Sequence, residues 1–239
     1  MEKGVCYEEE SVNRYASSPE QALLEFFQST TKPEPRRRKT VDRKPFRILA
    51  IAGSLRQGSY NRGLLRAAQE VAPEWVEVQF FDIGQLPFFN EDVEAAGDPE
   101  PVRRLKDAIA TSNAVLIATP EYNGTVPGVL ANAIDWVSRP TGRSVLRNKP
   151  VAIMGAVLGR SGSANAQAAL RGVLGRIGAI VVPDPQVLVP SASKLFDEHV
   201  DLRDEGTREE IRKLVEAMAH WCQRVQPEEP VSAQSGASS

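Results

Sequence analysis

Apolar positions along the middle of the chain follow two periods in turn. Residues 46–52 form a near-continuous apolar run, the pattern of a strand buried on both faces. Residues 76–81 alternate, with Val76, Val78 and Phe80 against Glu77 and Gln79, as an edge strand does. Residues 114–118 and 151–157 are again continuous, and 179–182 is a fifth short run. Between them the period becomes helical. Leu64, Leu65, Ala68 and Val71 share one face, as do Val102, Leu105 and Ile109, then Leu130, Ile134 and Val137. Ala169, Leu170, Val173, Leu174 and Ile177 form a fourth face, and Ile211, Leu214, Val215 and Met218 a fifth. Strand and helix alternate five times, which predicts an α/β fold with a five-stranded parallel sheet covered on both sides. Right-handed crossovers make it doubly wound, with strand order 2-1-3-4-5, and place ligands beyond the carboxyl ends of the strands where the order reverses.

The flanks read differently. Residues 1–45 hold few apolar positions and run into TKPEPRRRKTVDRKP, a proline- and charge-rich linker that buries too little surface to order itself. The basic run Arg36–Lys39 is read as a solvated part of that linker. Residues 227–239 read as a disordered tail, leaving 46–226 as the folded domain. The chain of 239 residues is 41% hydrophobic, enough for one core without disulfides. With 29 basic against 31 acidic residues, the net charge of −2 argues against a nucleic-acid binder. Two cysteines, Cys6 and Cys222, are too few for a disulfide framework, a zinc ribbon or an iron–sulfur cluster. No apolar run is long enough for a membrane helix and no secretory signal opens the chain, so a soluble cytoplasmic protein is expected.

The candidate chemistry sits in three loops. The first, Gly53-Ser54-Leu55-Arg56-Gln57-Gly58-Ser59-Tyr60-Asn61, leaves a buried strand and enters a helix. A helix start favours an anion, glycines admit close approach, Ser54, Ser59 and Asn61 can donate, and Arg56 supplies a cation for a phosphate. The spacing Gly53 to Gly58 approaches the nucleoside-triphosphate loop, but Ser59 and Tyr60 stand where it needs lysine and a hydroxyl. A plain capped helix accounts for Ser59 or Asn61 equally well. The second loop, Thr119-Pro120-Glu121-Tyr122-Asn123-Gly124-Thr125-Val126-Pro127, has a turn at Asn123-Gly124 and an aromatic, Tyr122, suited to a flat heteroaromatic ring. The third, residues 155–163, is built of small residues, with Ser163 positioned to cap the next helix and Arg160 a candidate contact for a 2′-phosphate. Together they offer a phosphate site beside a ring site, which describes a pocket for flavin mononucleotide.

The segments ILAIAGSLRQGSYNRGLL, IATPEYNGTVPGVLANAIDWVSR and AQAALRGVLGRIGAIVVP resemble the NADPH-dependent FMN reductase family, the group with chromate, azo and quinone reductases, over roughly residues 46–224. The resemblance implies a flavodoxin-like fold, bound FMN, NADPH or NADH as hydride donor, and a homodimer or homotetramer. It implies that Ser54, Arg56, Ser59 and Asn61 hold the phosphate, with Leu55 also among the cofactor-binding residues, that Pro120, Glu121, Tyr122, Asn123 and Gly124 line the ribityl chain and ring, and that Ala156 and Val157 touch the ring's far side. Two departures stand out: no serine is found near Ala156 and Val157, and Asn165 stands where the family often has arginine. The implied reaction is ping-pong hydride transfer from NAD(P)H to FMN and then to a small acceptor such as a quinone, an azo compound, a flavin or a metal oxyanion. The flavin carries the chemistry, so no catalytic side chain and no metal are expected, and Tyr122 shapes the acceptor pocket. Asp135 and Trp136 read as packing and capping groups, and His199 and His220 as solvated. The alternative is a flavodoxin-type FMN electron carrier without its own nicotinamide site, which the near-neutral charge disfavours.

Overall fold

Each predicted run forms an element because its apolar positions have somewhere to go. A computed structural model describes residues 45–225; the expectations for the extension before residue 45 and the tail from 227 lie outside the described residues. Five runs become the parallel strands β1 (Phe46–Ala52), β2 (Val76–Phe81), β3 (Ala114–Ala118), β4 (Pro150–Ala156) and β5 (Ile180–Val181), in the order β2-β1-β3-β4-β5. This is the doubly wound, flavodoxin-like order. Register is set by full pairing in the centre, with Ile48 opposite Ala114 and Val115 opposite Val151.

Alternate residues of β1 feed two separate cores. Ile48 and Ala50 pack with helices α1 (Tyr60–Val71) and α6 (Glu205–Val225), through Leu64, Leu65, Ile211, Leu214 and Met218. Leu49 and Ile51 pack with α3 (Glu100–Thr111), α4 (Gly128–Val137) and α5 (Ala164–Arg176), through Leu105, Ile109, Leu130, Ile134, Leu170 and Leu174. Two helices therefore cover one face and three the other. Each fully buried Leu or Ile contributes about 1.5–3 kcal/mol of apolar transfer, which fixes both faces. A short helix α2 (Glu91–Ala95) precedes α3.

Two expectations need correction. The fifth strand is in two pieces: β5 pairs with the start of β4, while β6 (Val187–Val189) pairs with its end, Met154 to Ala156. Pro183 and Pro185 lie between them, and proline cannot donate to a ladder, so the strand breaks there and resumes. On α5 the buried side is Ala166, Gln167, Leu170 and Leu174, while Ala169 and Val173 are exposed. Its apolar residues spread around more of the helix than the face that meets the sheet.

Candidate functional site

The three loops converge at the carboxyl ends of β1, β3 and β4. A cleft of about 440 Å³ is lined by Ser54, Arg56, Ser59, Tyr60 and Asn61 from the first, Pro120, Glu121 and Tyr122 from the second, and Ala156, Val157, Leu158 and Gly159 from the third. Leu55, Asn123 and Gly124 lie outside the lining, and so does the exposed Arg160.

At the first loop, Ser59 is in extended conformation and caps α1, its hydroxyl oxygen accepting from the Asn61 amide at 3.3 Å. Its O–H remains a donor. The Ser59 carbonyl takes the amides of Arg62 and Gly63. The backbone N–H groups of residues 54–59 have no acceptor among the described residues. Successive open amides at a turn can serve as an anion-binding concavity. No acidic residue in the first turn of α1 opposes an anion there. Arg56 is exposed, with its guanidinium 5.8 Å from the Tyr60 ring centroid. Arg62 reaches the Ser54 carbonyl with Nε at 3.4 Å and Asp82 at 3.6 Å, bracing the loop from behind.

Asn61 does something the sequence does not announce. Its Nδ2 donates to the Ala156 carbonyl at 3.0 Å and its Oδ1 accepts the Ala156 amide at 2.9 Å. The side chain mimics a strand neighbour and locks α1 to the end of β4. Both groups are buried.

The second loop is a two-residue hairpin. Asn123 and Gly124 both have positive φ, 53° and 74°, and Tyr122 and Thr125 exchange amide and carbonyl bonds at 3.2 and 3.0 Å. Two positive φ values in succession demand residues such as Asn-Gly. The turn holds Tyr122 half in solvent, 53% exposed, at the cleft edge. On α4, Trp136 is fully buried and donates its indole N–H to the Pro87 carbonyl at 2.8 Å.

Glu121 faces α5. Its carboxylate accepts the amides of Asn165 and Ala166 at 2.9 and 3.1 Å, and Asn165 Nδ2 at 3.2 Å. Partial burial pushes the carboxyl up from its ordinary 4.5, but the hydrogen bonds from Ala166, Asn165 and Ser161 outweigh that and hold it below the usual value. Ser163, expected to cap α5, makes no side-chain bond to the amides of its first turn. It has φ 69°, and its hydroxyl accepts from Gln167 Nε2 at 3.1 Å. The third loop is pinned close to its neighbours, because a Cβ on Gly155 would sit 2.0 Å from Ser163 Oγ and 2.3 Å from the Thr119 carbonyl.

Tyr60, Leu158 and Gly159 line the cleft without having been singled out. Leu158 carried a signal, a large apolar residue in a run of small and polar ones, and it is 66% exposed. The two histidines, His199 and His220, are exposed and away from the cleft lining.

The family model for NADPH-dependent FMN reductases matches residues 46–194. The chain belongs to the NADPH-dependent FMN reductase family. It is similar to an NAD(P)H-dependent FMN reductase of Pseudomonas aeruginosa, 41% identical over 179 residues, covering 75% of this chain and 96% of the relative. It is also similar to a 2-hydroxy-1,4-benzoquinone reductase of a Burkholderia species, 38% identical over 175 residues, covering 73% and 95%. Among solved structures, the flavoenzyme NAD(P)H:(acceptor) oxidoreductase FerB of Paracoccus denitrificans superposes with a TM-score of 0.68 at 36% identity, covering 74% of this chain and 97% of that one. The chain is accordingly an oxidoreductase of the flavodoxin-like fold, with FMN and a nicotinamide dinucleotide as cofactors. Among the described residues, no helix is long and apolar enough to cross a membrane.

The cleft fits FMN on its donor set. One end gathers Ser54, Arg56 and Ser59, with their open amides, the two serine hydroxyls and the arginine side chain, and no carboxylate. The other end has apolar and backbone surface from Pro120, Tyr122, Val157 and Leu158. The single carboxylate in the lining, Glu121, is bound by α5.

Proposed function

We propose that this cleft binds FMN with its phosphate on Ser54, Arg56, Ser59 and the amides of residues 54–59, and its ring between Pro120–Tyr122 and Ala156–Gly159. FMN, when bound, supplies the two-electron chemistry that connects a nicotinamide donor to an acceptor. The chain's own residues do the rest. Arg56 and the serine hydroxyls neutralise and orient the phosphate, while Asn61 holds the first loop against the third by its double bond to Ala156. Tyr122 and Leu158, both exposed, border the mouth and shield one side of it from water. One mouth serves NAD(P)H and the acceptor in alternation, so turnover is ping-pong. The acceptor is small and flat or compact: a quinone, an azo compound, a flavin or a metal oxyanion. We place the enzyme in the cytoplasm, as a homodimer or homotetramer.

The observation that carries this reading is that Ser54, Arg56 and Ser59, whose amides have no acceptor among the described residues, line the same cleft as the Asn123-Gly124 hairpin's tyrosine. The test is the absorption spectrum of the purified protein followed by NADPH titration. FMN at one per chain, bleached by NADPH without a partner protein, is the expected result. A colourless chain that takes up no added FMN overturns the reading, and bleaching only in the presence of a separate reductase favours the electron carrier. Arg56→Ala removes one charge-assisted hydrogen bond, about 1.5–3 kcal/mol, and is expected to raise the FMN dissociation constant by at least about tenfold with the apoprotein's unfolding curve unchanged.

A further inference from the structure

The start of α5 is capped from a distance. All four of its leading amides are bound: Ala164 to the Ser161 carbonyl, Gln167 to the Ser163 carbonyl, and Asn165 and Ala166 to Glu121. Glu121 lies 44 positions before Asn165, in the loop that carries Tyr122. Because Ser163 is in the left-handed region and bonds Gln167 instead, the local cap is missing and the carboxylate takes its place. A carboxylate on helix amides is a charge-assisted bond reinforced by the helix dipole, stronger than a neutral serine cap. Asn165 Nδ2 and the Ser161 hydroxyl complete the set, and Glu121 enters no ion pair among the described residues. One side chain thus joins the wall built by Pro120–Tyr122 to the helix that anchors the wall built by Ala156–Gly159.

We propose that Glu121 is a positioning residue for the reductase reaction: its carboxylate fixes the separation of the two walls and so sets the width of the mouth that nicotinamide and acceptor share. This rests on the cleft being the FMN site. Although Glu121 belongs to the cleft lining, its carboxylate is engaged by α5 and not offered to nicotinamide or acceptor. It acts by holding Tyr122 and the loop of Val157 to Gly159 in register, and small displacements of positioning groups are costly to rate.

The test compares the wild-type holoenzyme with Glu121→Ala, Glu121→Gln and Asn165→Asp. Glu121→Ala abolishes the tie. Glu121→Gln keeps one acceptor oxygen but no charge. Asn165→Asp sets a like charge against Glu121, yet an acidic residue in a first helical turn is tolerated, so this variant is expected to fold. We expect Glu121→Ala and Asn165→Asp to raise KM for both NADPH and a quinone acceptor by about fivefold or more, to change kcat less, and to alter the visible circular dichroism of the bound flavin. Glu121→Gln is expected to fall between these and wild type. A purely structural role predicts lower thermal stability with KM and flavin dichroism at wild-type values, and that result overturns the proposal. If Glu121→Ala does not fold, Asn165→Asp decides alone, and wild-type KM values in it overturn the proposal equally. A wild-type chain that binds no FMN refutes the cleft assignment itself, whereas normal FMN binding with unchanged KM in the variants refutes only the role of Glu121.

Discussion

Two helices begin beside the cleft, and their leading amides are capped in different ways. At α1, the neutral Ser59 caps its own helix, taking the amides of Asn61, Arg62 and Gly63 on its hydroxyl and carbonyl, and the Tyr60 amide stays open among the described residues. At α5, every leading amide already has a partner, and two of them are held by Glu121. Both are helix starts with serine in the capping position, and both carry the positive end of a helix dipole. The first is capped by a neutral serine with no acidic residue in its first turn, while the second is closed by a carboxylate the chain brings itself. In the binding mode we propose, this difference in charge favours the phosphate on the α1 side of the cleft and leaves the other side for an uncharged ring.

The contrast can be broken most severely at Gly155, where the third loop is packed tightest. Gly155→Ala forces a Cβ into Ser163 Oγ and the Thr119 carbonyl, both backbone-fixed or fully buried, and should cost about 3 kcal/mol in urea unfolding of the apoprotein. A loss under about 1 kcal/mol would mean the β4–α5 junction adapts, and that the closed character of α5 is soft. Next in size is Asn61→Ala. It leaves the buried Ala156 amide and carbonyl without partners and should destabilise by about 2 kcal/mol, the cost of orphaning a buried polar group. It should also weaken FMN binding, because the open loop loses its tie to β4. Unchanged stability would detach the two helix starts from each other.

The smallest effect is with pH. The Glu121 carboxyl is held below its ordinary 4.5, so its contribution is fully present above that pH and fades as pH falls through the lower, folded value. The stability difference between wild type and Glu121→Gln should therefore be flat above about pH 5 and shrink below about 4.5. A difference that stays constant to lower pH would show that the charge on Glu121 is irrelevant to the cap.

What the sequence made legible follows the same division between local and distant. The buried runs at residues 46–52 and 114–118 announce central parallel strands because every side chain there is covered, so no alternation survives. Asn123-Gly124 announces its hairpin because few other pairs accept two positive φ values. The cap at Ser59 is likewise local, and so is readable. Ser163 looked identical in sequence and behaves otherwise, because Gly162 and Ser163 both take left-handed φ to bring α5 close under Gly155. The partners that decide the site, Asn61 with Ala156 and Glu121 with α5, are separated by 95 and 44 positions, beyond the reach of any spacing rule. The second half of the fifth strand was missed for a similar reason. Its three residues show no pattern of their own and are recruited by β4.

That interrupted strand has a consequence for how the molecule meets its own kind. A continuous outer strand offers a row of unused donors and acceptors on which another polypeptide can lay itself down, the first step toward fibrous deposits. Here the outer row is two residues, then Pro183 and Pro185, then three residues, too short and too poor in donors to seed such growth. The prolines that spoil the strand thus guard this one of the sheet's two open sides in a crowded solution; the other is formed by β2.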